Sequence, residues 1–112
     1  MKTKIILASA LLIVAGVING CKKSSTPASP GTNEVFIQNT AFTPASITVP
    51  VNTIVKWTNK DAVTHTVTSN ATLFDSGNLS SGAAFSYQFL TGGTVHYHCN
   101  IHPGMTGTII VQ

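Results

Sequence analysis

Charge is scarce in this sequence. Three acids and six lysines make up only 8% of its 112 residues. Lys2, Lys4, Lys22 and Lys23 lie near the start, so the basic pI of about 9.1 reflects the N-terminal end. From Asn33 onward, Lys56 and Lys60 face Glu34, Asp61 and Asp75, leaving a net charge of −1. That region has no basic cluster, which excludes recognition of nucleic acid. The acids are too few and scattered for paired-carboxylate catalysis, and no Ser-His-Asp order emerges, so the chain does not read as an enzyme. Cysteine is scarce too, with only Cys21 and Cys99, and the paired Cys-x-x-Cys spacing of many zinc sites is missing. No window carries a convincing helical period, although Ala71 to Leu79 leaves room for a short turn. There is no internal repeat. An apolar run of the ~20 residues needed to span a bilayer is absent as well.

The one apolar run, Ile5 to Ile18, follows Lys2 and Lys4. A basic start and a short apolar core describe a secretory signal over residues 1–20. Ile18-Asn19-Gly20-Cys21 closes it and resembles the lipobox of bacterial lipoproteins. That resemblance implies cleavage before Cys21 and lipid on its sulfur and its amine. More than one acyl chain is enough for stable anchoring. The chain is therefore expected in the bacterial cell envelope, exported and held to a membrane through Cys21, with its domain facing the periplasm or exterior. Two plainer readings stand beside this: an ordinary signal with an incidental cysteine, and a Cys21–Cys99 disulfide. Residues 21–32 then form the lipidated cysteine and a flexible linker. Lys22 to Thr32 is rich in Ser, Pro and Thr, and its eleven residues reach at most ~40 Å.

Residues 33–112 change to period two. Val35 and Ile37 alternate with Phe36, Ile47 and Val49 with Thr48, and Val55 and Trp57 with Lys56. Phe85, Tyr87 and Phe89 alternate with Ser86 and Gln88; Val95, Tyr97 and Cys99 alternate with His96 and His98; Ile109 and Val111 close the chain. Turn signals at Pro44, Pro50 with Asn52, Asn59 to Asp61, Ser76 to Gly82 and Gly92-Gly93 separate the runs. Counting a short strand over Thr64 to Thr68, the pattern predicts an all-β, one-domain sandwich of about seven strands. In that short strand Val63, His65 and Val67 are expected to face the core.

Chemistry concentrates between Cys99 and Met105. A thiol, an imidazole and a thioether stand three positions apart at Cys99, His102 and Met105. Two His and one Cys with a weak axial Met form the donor set of blue-copper electron-transfer centres. The segment supplies Cys99, His102 and Met105, and His65 is the candidate for the second imidazole. Each residue alone has a plainer reading, as a core histidine or a core methionine; the cluster outweighs it.

From Glu34 to Gln112 the sequence resembles a cupredoxin of the plastocyanin and amicyanin type. The matching pieces are Phe42-Thr43-Pro44, Ile47-Thr48-Val49, Val55-Lys56-Trp57-Thr58-Asn59, His65-Thr66-Val67, Phe74-Asp75-Ser76-Gly77, Tyr97-His98-Cys99, His102-Pro103-Gly104-Met105 and Gly107-Thr108-Ile109. The resemblance implies a Greek-key sandwich with one copper near one end. It matches His65, Cys99 and His102 to the equatorial ligands and Met105 to the axial one, with a short amicyanin-like loop. It further implies single-electron transfer, with redox partners docking transiently near His102 on a rim of Ile101, Pro103, Gly104 and, as a further candidate, Phe42. A monomer is expected. Ile101 stands where amicyanin has proline, so its N–H is free to reach the Cys99 sulfur. Thr66 stands where plastocyanin has Asn.

His96 and His98 are expected on the outer face of their strand, as exposed histidines or a loose second metal site. The competing function is copper delivery or storage at the same site. A multicopper oxidase needs histidine ligands across several domains, and this chain has four histidines.

Overall fold

The structure is a computed structural model that describes residues 29–112. The signal expected over 1–20, the lipid site expected at Cys21 and most of the expected linker lie outside the described residues. The domain begins at a turn in which the Glu34 N–H donates to the Gly31 carbonyl at 3.2 Å.

Eight strands follow: β1 (Glu34–Ile37), β2 (Phe42–Thr43), β3 (Ser46–Val49), β4 (Thr53–Asn59), β5 (Thr68–Ser69), β6 (Ala84–Phe89), β7 (Gly93–His98) and β8 (Thr106–Val111). They form two four-stranded sheets, ordered β2-β1-β4-β6 and β3-β8-β7-β5. The chain crosses between sheets repeatedly, which makes β1 and β4 parallel and β3 and β8 parallel. This is the expected sandwich, with β2 as a strand that the alternation did not announce. Two residues are too few to show a period.

Alternation sets the core. Val35, Ile37, Val55 and Trp57 point inward from one sheet, and Val49, Tyr97, Ile109 and Val111 from the other. Trp57 lies between them, its ring 5.4 Å from Tyr97 and 5.6 Å from Phe74. Phe36 points outward as expected, yet it is buried because Lys60 Nζ sits 4.6 Å over its ring.

The segment before β5 departs from expectation. Thr64 to Thr68 is not a regular strand. His65 makes an isolated bridge with Leu79, and pairing in the second sheet starts only at Thr68. His65 and Val67 are fully buried, whereas Val63 is 51% exposed and Thr66 is buried. Strict alternation fails because side-chain hydrogen bonds, rather than a ladder, shape residues 59–66.

Candidate metal centre

Two loops at one end of the sandwich carry the site. The first runs from Asn59 to Thr66. Asn59 is fully buried and organises it: its Nδ2 donates to the carbonyls of Val63 (2.8 Å) and Leu79 (2.9 Å), and its Oδ1 accepts from the Asp61 N–H (2.9 Å). The second leaves β7 at Cys99 and re-enters β8 at Thr106. The Met105 N–H donates to the His102 carbonyl (2.8 Å), and the Cys99 N–H donates to the Met105 carbonyl (3.1 Å). These bonds turn the chain back sharply, with Pro103 and Gly104 at the bend.

The fold brings His65, Cys99 and His102 together. One donor atom from each lies within 4.8 Å of the others. Cys99 Sγ is 3.7 Å from His65 Nδ1 and 3.8 Å from His102 Nδ1. A first-row ion bound at ~2.3 Å to sulfur and ~2.0 Å to nitrogen, ~120° apart, requires an S···N distance of ~3.7 Å. Both S···N distances match that value, so the thiol and the two imidazoles stand where one ion could take all three. His65 is fully buried and His102 is half-buried. Met105 is buried and lies in the same loop as Cys99 and His102.

Cys99 is a free, buried thiol. Burial pushes its pKa up, but the Thr66 N–H at 3.3 Å, the two imidazoles and the His102 backbone outweigh this and bring it down to about 6. A metal-ligating thiolate needs that bias. Among the described residues the sulfur takes the Thr66 N–H and not that of Ile101, contrary to expectation. The loop carries Ile101 outward, where it is 44% exposed. Thr66 also accepts the Asn100 N–H on Oγ1 at 2.8 Å, which ties the two loops together.

The sign of the thiol shift predicts pH behaviour. An unfolded thiol titrates near 9.0 and the folded one near 6. The folded state thus gains stability that is complete above 9, shrinks as pH falls and is gone below 6. Urea midpoints of the metal-free domain should drop from pH 9 to pH 6, with a contribution up to ~1.4 kcal/mol per pH unit. Cys99→Ser should flatten that slope.

Asp61 is the site residue that sequence reasoning placed only in a turn. Its Oδ2 lies 2.9 Å from His65 Nε2. Burial raises its pKa, but the N–H groups of Thr40 (2.9 Å) and Asn39 (2.7 Å) and the His65 ring outweigh it, so the carboxyl sits below its ordinary value. The signal available was its position four residues before His65. A carboxylate at Nε2 fixes the tautomer that leaves Nδ1 free for a metal. Asp61→Ala should weaken Cu(II) binding by about 10- to 100-fold, read by competition with a chelator. It should also raise the reduction potential, because a negative charge near the ion favours the oxidised state.

His96 and His98 do face outward. Asn70 Oδ1 lies 2.6 Å from His98 Nδ1 and Asn100 Oδ1 2.9 Å from Nε2, so both ring nitrogens already have partners. His96 Nδ1 meets Thr108 Oγ1 at 3.2 Å. Phe42 is 3% exposed, so it belongs to the core and not to the rim; Pro103 and Gly104 are exposed as expected.

The cupredoxin-like domain model matches residues 10–111. The chain belongs to the cupredoxin-like family. It is 28% identical over 114 residues to amicyanin-alpha of Methylorubrum extorquens, covering 93% of this chain and 92% of that protein. It is 32% identical over 89 residues to plastocyanin of Scenedesmus fuscus, covering 63% of this chain and 86% of the relative. Among solved structures, a purple cupredoxin from Nitrosopumilus maritimus superposes with a TM-score of 0.66 at 29% identity, over 70% of this chain and 98% of the other. An oxidised amicyanin variant gives 0.67 at 28%, over 70% and 80%. In this cupredoxin the sandwich serves to hold two loops in register around one thiol.

Proposed function

We propose that this cupredoxin holds one copper ion through His65, Cys99 and His102, with Met105 as the axial ligand, and carries single electrons between redox proteins. The donor triangle at Cys99, with S···N distances of 3.7 and 3.8 Å, carries the reading. Bound copper would supply a site that alternates between Cu(II) and Cu(I). The chain's part is to keep the donors in place through both states. Burial of His65 and Cys99 excludes water from the site. The two backbone bonds of the Cys99–Met105 loop and the Thr66–Asn100 bond stop the donors from spreading. Such rigidity lowers the rearrangement that an electron transfer would otherwise require.

His102 is the half-buried donor, and exposed Ile101, Pro103 and Gly104 lie beside it. This is where a redox partner would dock. With five charged residues from Asn33 onward, docking relies on apolar contact and not on charge steering. Electron self-exchange, measured by NMR line broadening of mixed oxidised and reduced protein, should change by less than about threefold between low and physiological salt. A steep dependence would argue for a charged docking face.

The proposal includes export, with residues 1–20 as the signal and Cys21 as the lipid attachment site. The decisive experiment is to add Cu(II) to residues 23–112 and record visible and EPR spectra. An intense blue or purple thiolate band supports the carrier. A pale spectrum with readily exchanged copper would favour delivery or storage.

A further inference from the structure

We propose that the end of the sandwich opposite the metal centre rests on the lipid surface and aims His102 away from it. This inference depends on Cys21 carrying lipid.

The topology defines two poles. β4 runs from Thr53 to Asn59, and Asn59 holds the metal-centre loop. Seven residues at ~3.3 Å each put Thr53 about 20 Å from that end. Phe89 pairs with Thr53, and Gly93, which opens β7, pairs with Val111. The turns at 50–53 and 90–93 and the C-terminal residue therefore share the distal pole. The Asn52 N–H donates to the Phe89 carbonyl (2.6 Å) and the Val51 N–H to the Gln112 carbonyl (3.1 Å).

This pole carries Leu90 at 65% exposure, Ile54 at 55% and Val51 at 38%. Among the described residues no Asp or Glu side chain lies on it. Asp61 is at the metal end, Asp75 lies beside Thr68, and Glu34 is level with Lys56, two residues beyond Ile54 on the same outward face. The pole's apolar side chains thus surround the Gln112 main-chain end, whose oxygen accepts the Val51 N–H, with Lys56 and Glu34 set back from it.

The occupant follows from where the chain comes from. β1 runs parallel to β4 and its Glu34 is level with Lys56, so the chain enters from the distal half. Eleven residues, Lys22 to Thr32, separate that entry from Cys21, a reach of at most ~40 Å. A tether this short holds the domain at high effective concentration over its own bilayer, so a few aliphatic side chains are enough to bias its orientation. Lys22 and Lys23 beside the anchor suit an anionic lipid surface. Ile101 and Val63, the exposed aliphatics at the metal end, remain available to redox partners.

The test uses the full-length protein, exported and lipidated in a bacterial host. It is reconstituted into phosphatidylethanolamine and phosphatidylglycerol vesicles with plain or bromine-labelled acyl chains. Leu90→Trp and Ile101→Trp each add one reporter to the buried Trp57. The ratio of emission between the two vesicle types cancels quenching by copper. Expected is a loss of Leu90→Trp emission in brominated vesicles, with Ile101→Trp unchanged. Equal ratios for both variants, with the lipid on Cys21 confirmed by mass, overturn the orientation while leaving the anchor intact. A blue shift of Leu90→Trp without bromine quenching also overturns it and assigns the pole to a protein, such as a second copy. Absence of lipid on Cys21 removes the anchor reading and this inference with it. The thiolate absorption band of each variant reports that it is folded.

Discussion

Cys99→Ser should abolish the intense visible band expected of the copper-loaded protein and leave a pale Cu(II) spectrum. The band requires a thiolate held against copper, and Cys99 is the single thiol among the described residues. A serine hydroxyl at the same position would stay protonated, because burial disfavours its anion and its intrinsic acidity is far weaker than a thiol's. The neighbours that bring Cys99 to about 6, the Thr66 N–H and two imidazoles, cannot make up that difference. Losing a residue that merely orients a ligand costs about 10- to 100-fold in metal affinity, so losing the thiolate should exceed about 100-fold. The measurement is a copper titration against a chelator, alongside absorption and EPR spectra. The variant should keep its fold, since Ser replaces Cys with little change in volume and can still accept the Thr66 N–H. A blue site in Cys99→Ser would refute the assignment of the donor triangle.

Gly107→Ala should be the most destabilising small substitution in the domain. Gly107 is buried in β8, directly opposite Tyr97 in β7. The Tyr97 ring lies across it: a Cβ on Gly107 would stand 2.8 Å from Cε1 and closer still to Cζ and Oη. Carbon atoms ordinarily pack at ~3.5–4.0 Å. The ring has nowhere to go, because it packs 4.6 Å from Phe42 and 5.4 Å from Trp57. Overpacking costs ~1–3 kcal/mol, and a fixed ring puts this case at the upper end or beyond. For a domain of this size the melting temperature should fall by about 10 °C or more. Copper binding should suffer as well, because Cys99 lies two residues beyond Tyr97 and Met105 two residues before Gly107. Tyr97→Leu in the same chain should recover part of the loss, since it removes the atoms that collide. If Gly107→Ala melts like the parent, the ring packing described here is wrong.

The sequence by itself determined the fold class and the chemistry of the site. Alternation at Val55-Lys56-Trp57, Phe85 to Phe89 and Val95 to Cys99 fixed which faces are buried, because a strand's side chains have a strict period of two. The run Cys99, His102 and Met105 offered a thiol, an imidazole and a thioether in one local loop, and the structure brings the first two beside His65. His65 was legible as an inward histidine and, beside the Cys-His-Met segment, as the candidate second imidazole. Its approach to 3.7 Å from a thiol 34 residues away depends on the two sheets being packed together. The tertiary structure alone decided three things. It put Asp61 on the back of the His65 ring, held there by Asn39 and Thr40 from another turn. It chose Thr66 over Ile101 as the donor to sulfur. It turned Val63 outward and Phe42 inward. These depend on hydrogen bonds of loop residues and, for Phe42, on packing against Tyr97, which have no period and leave no pattern along the chain.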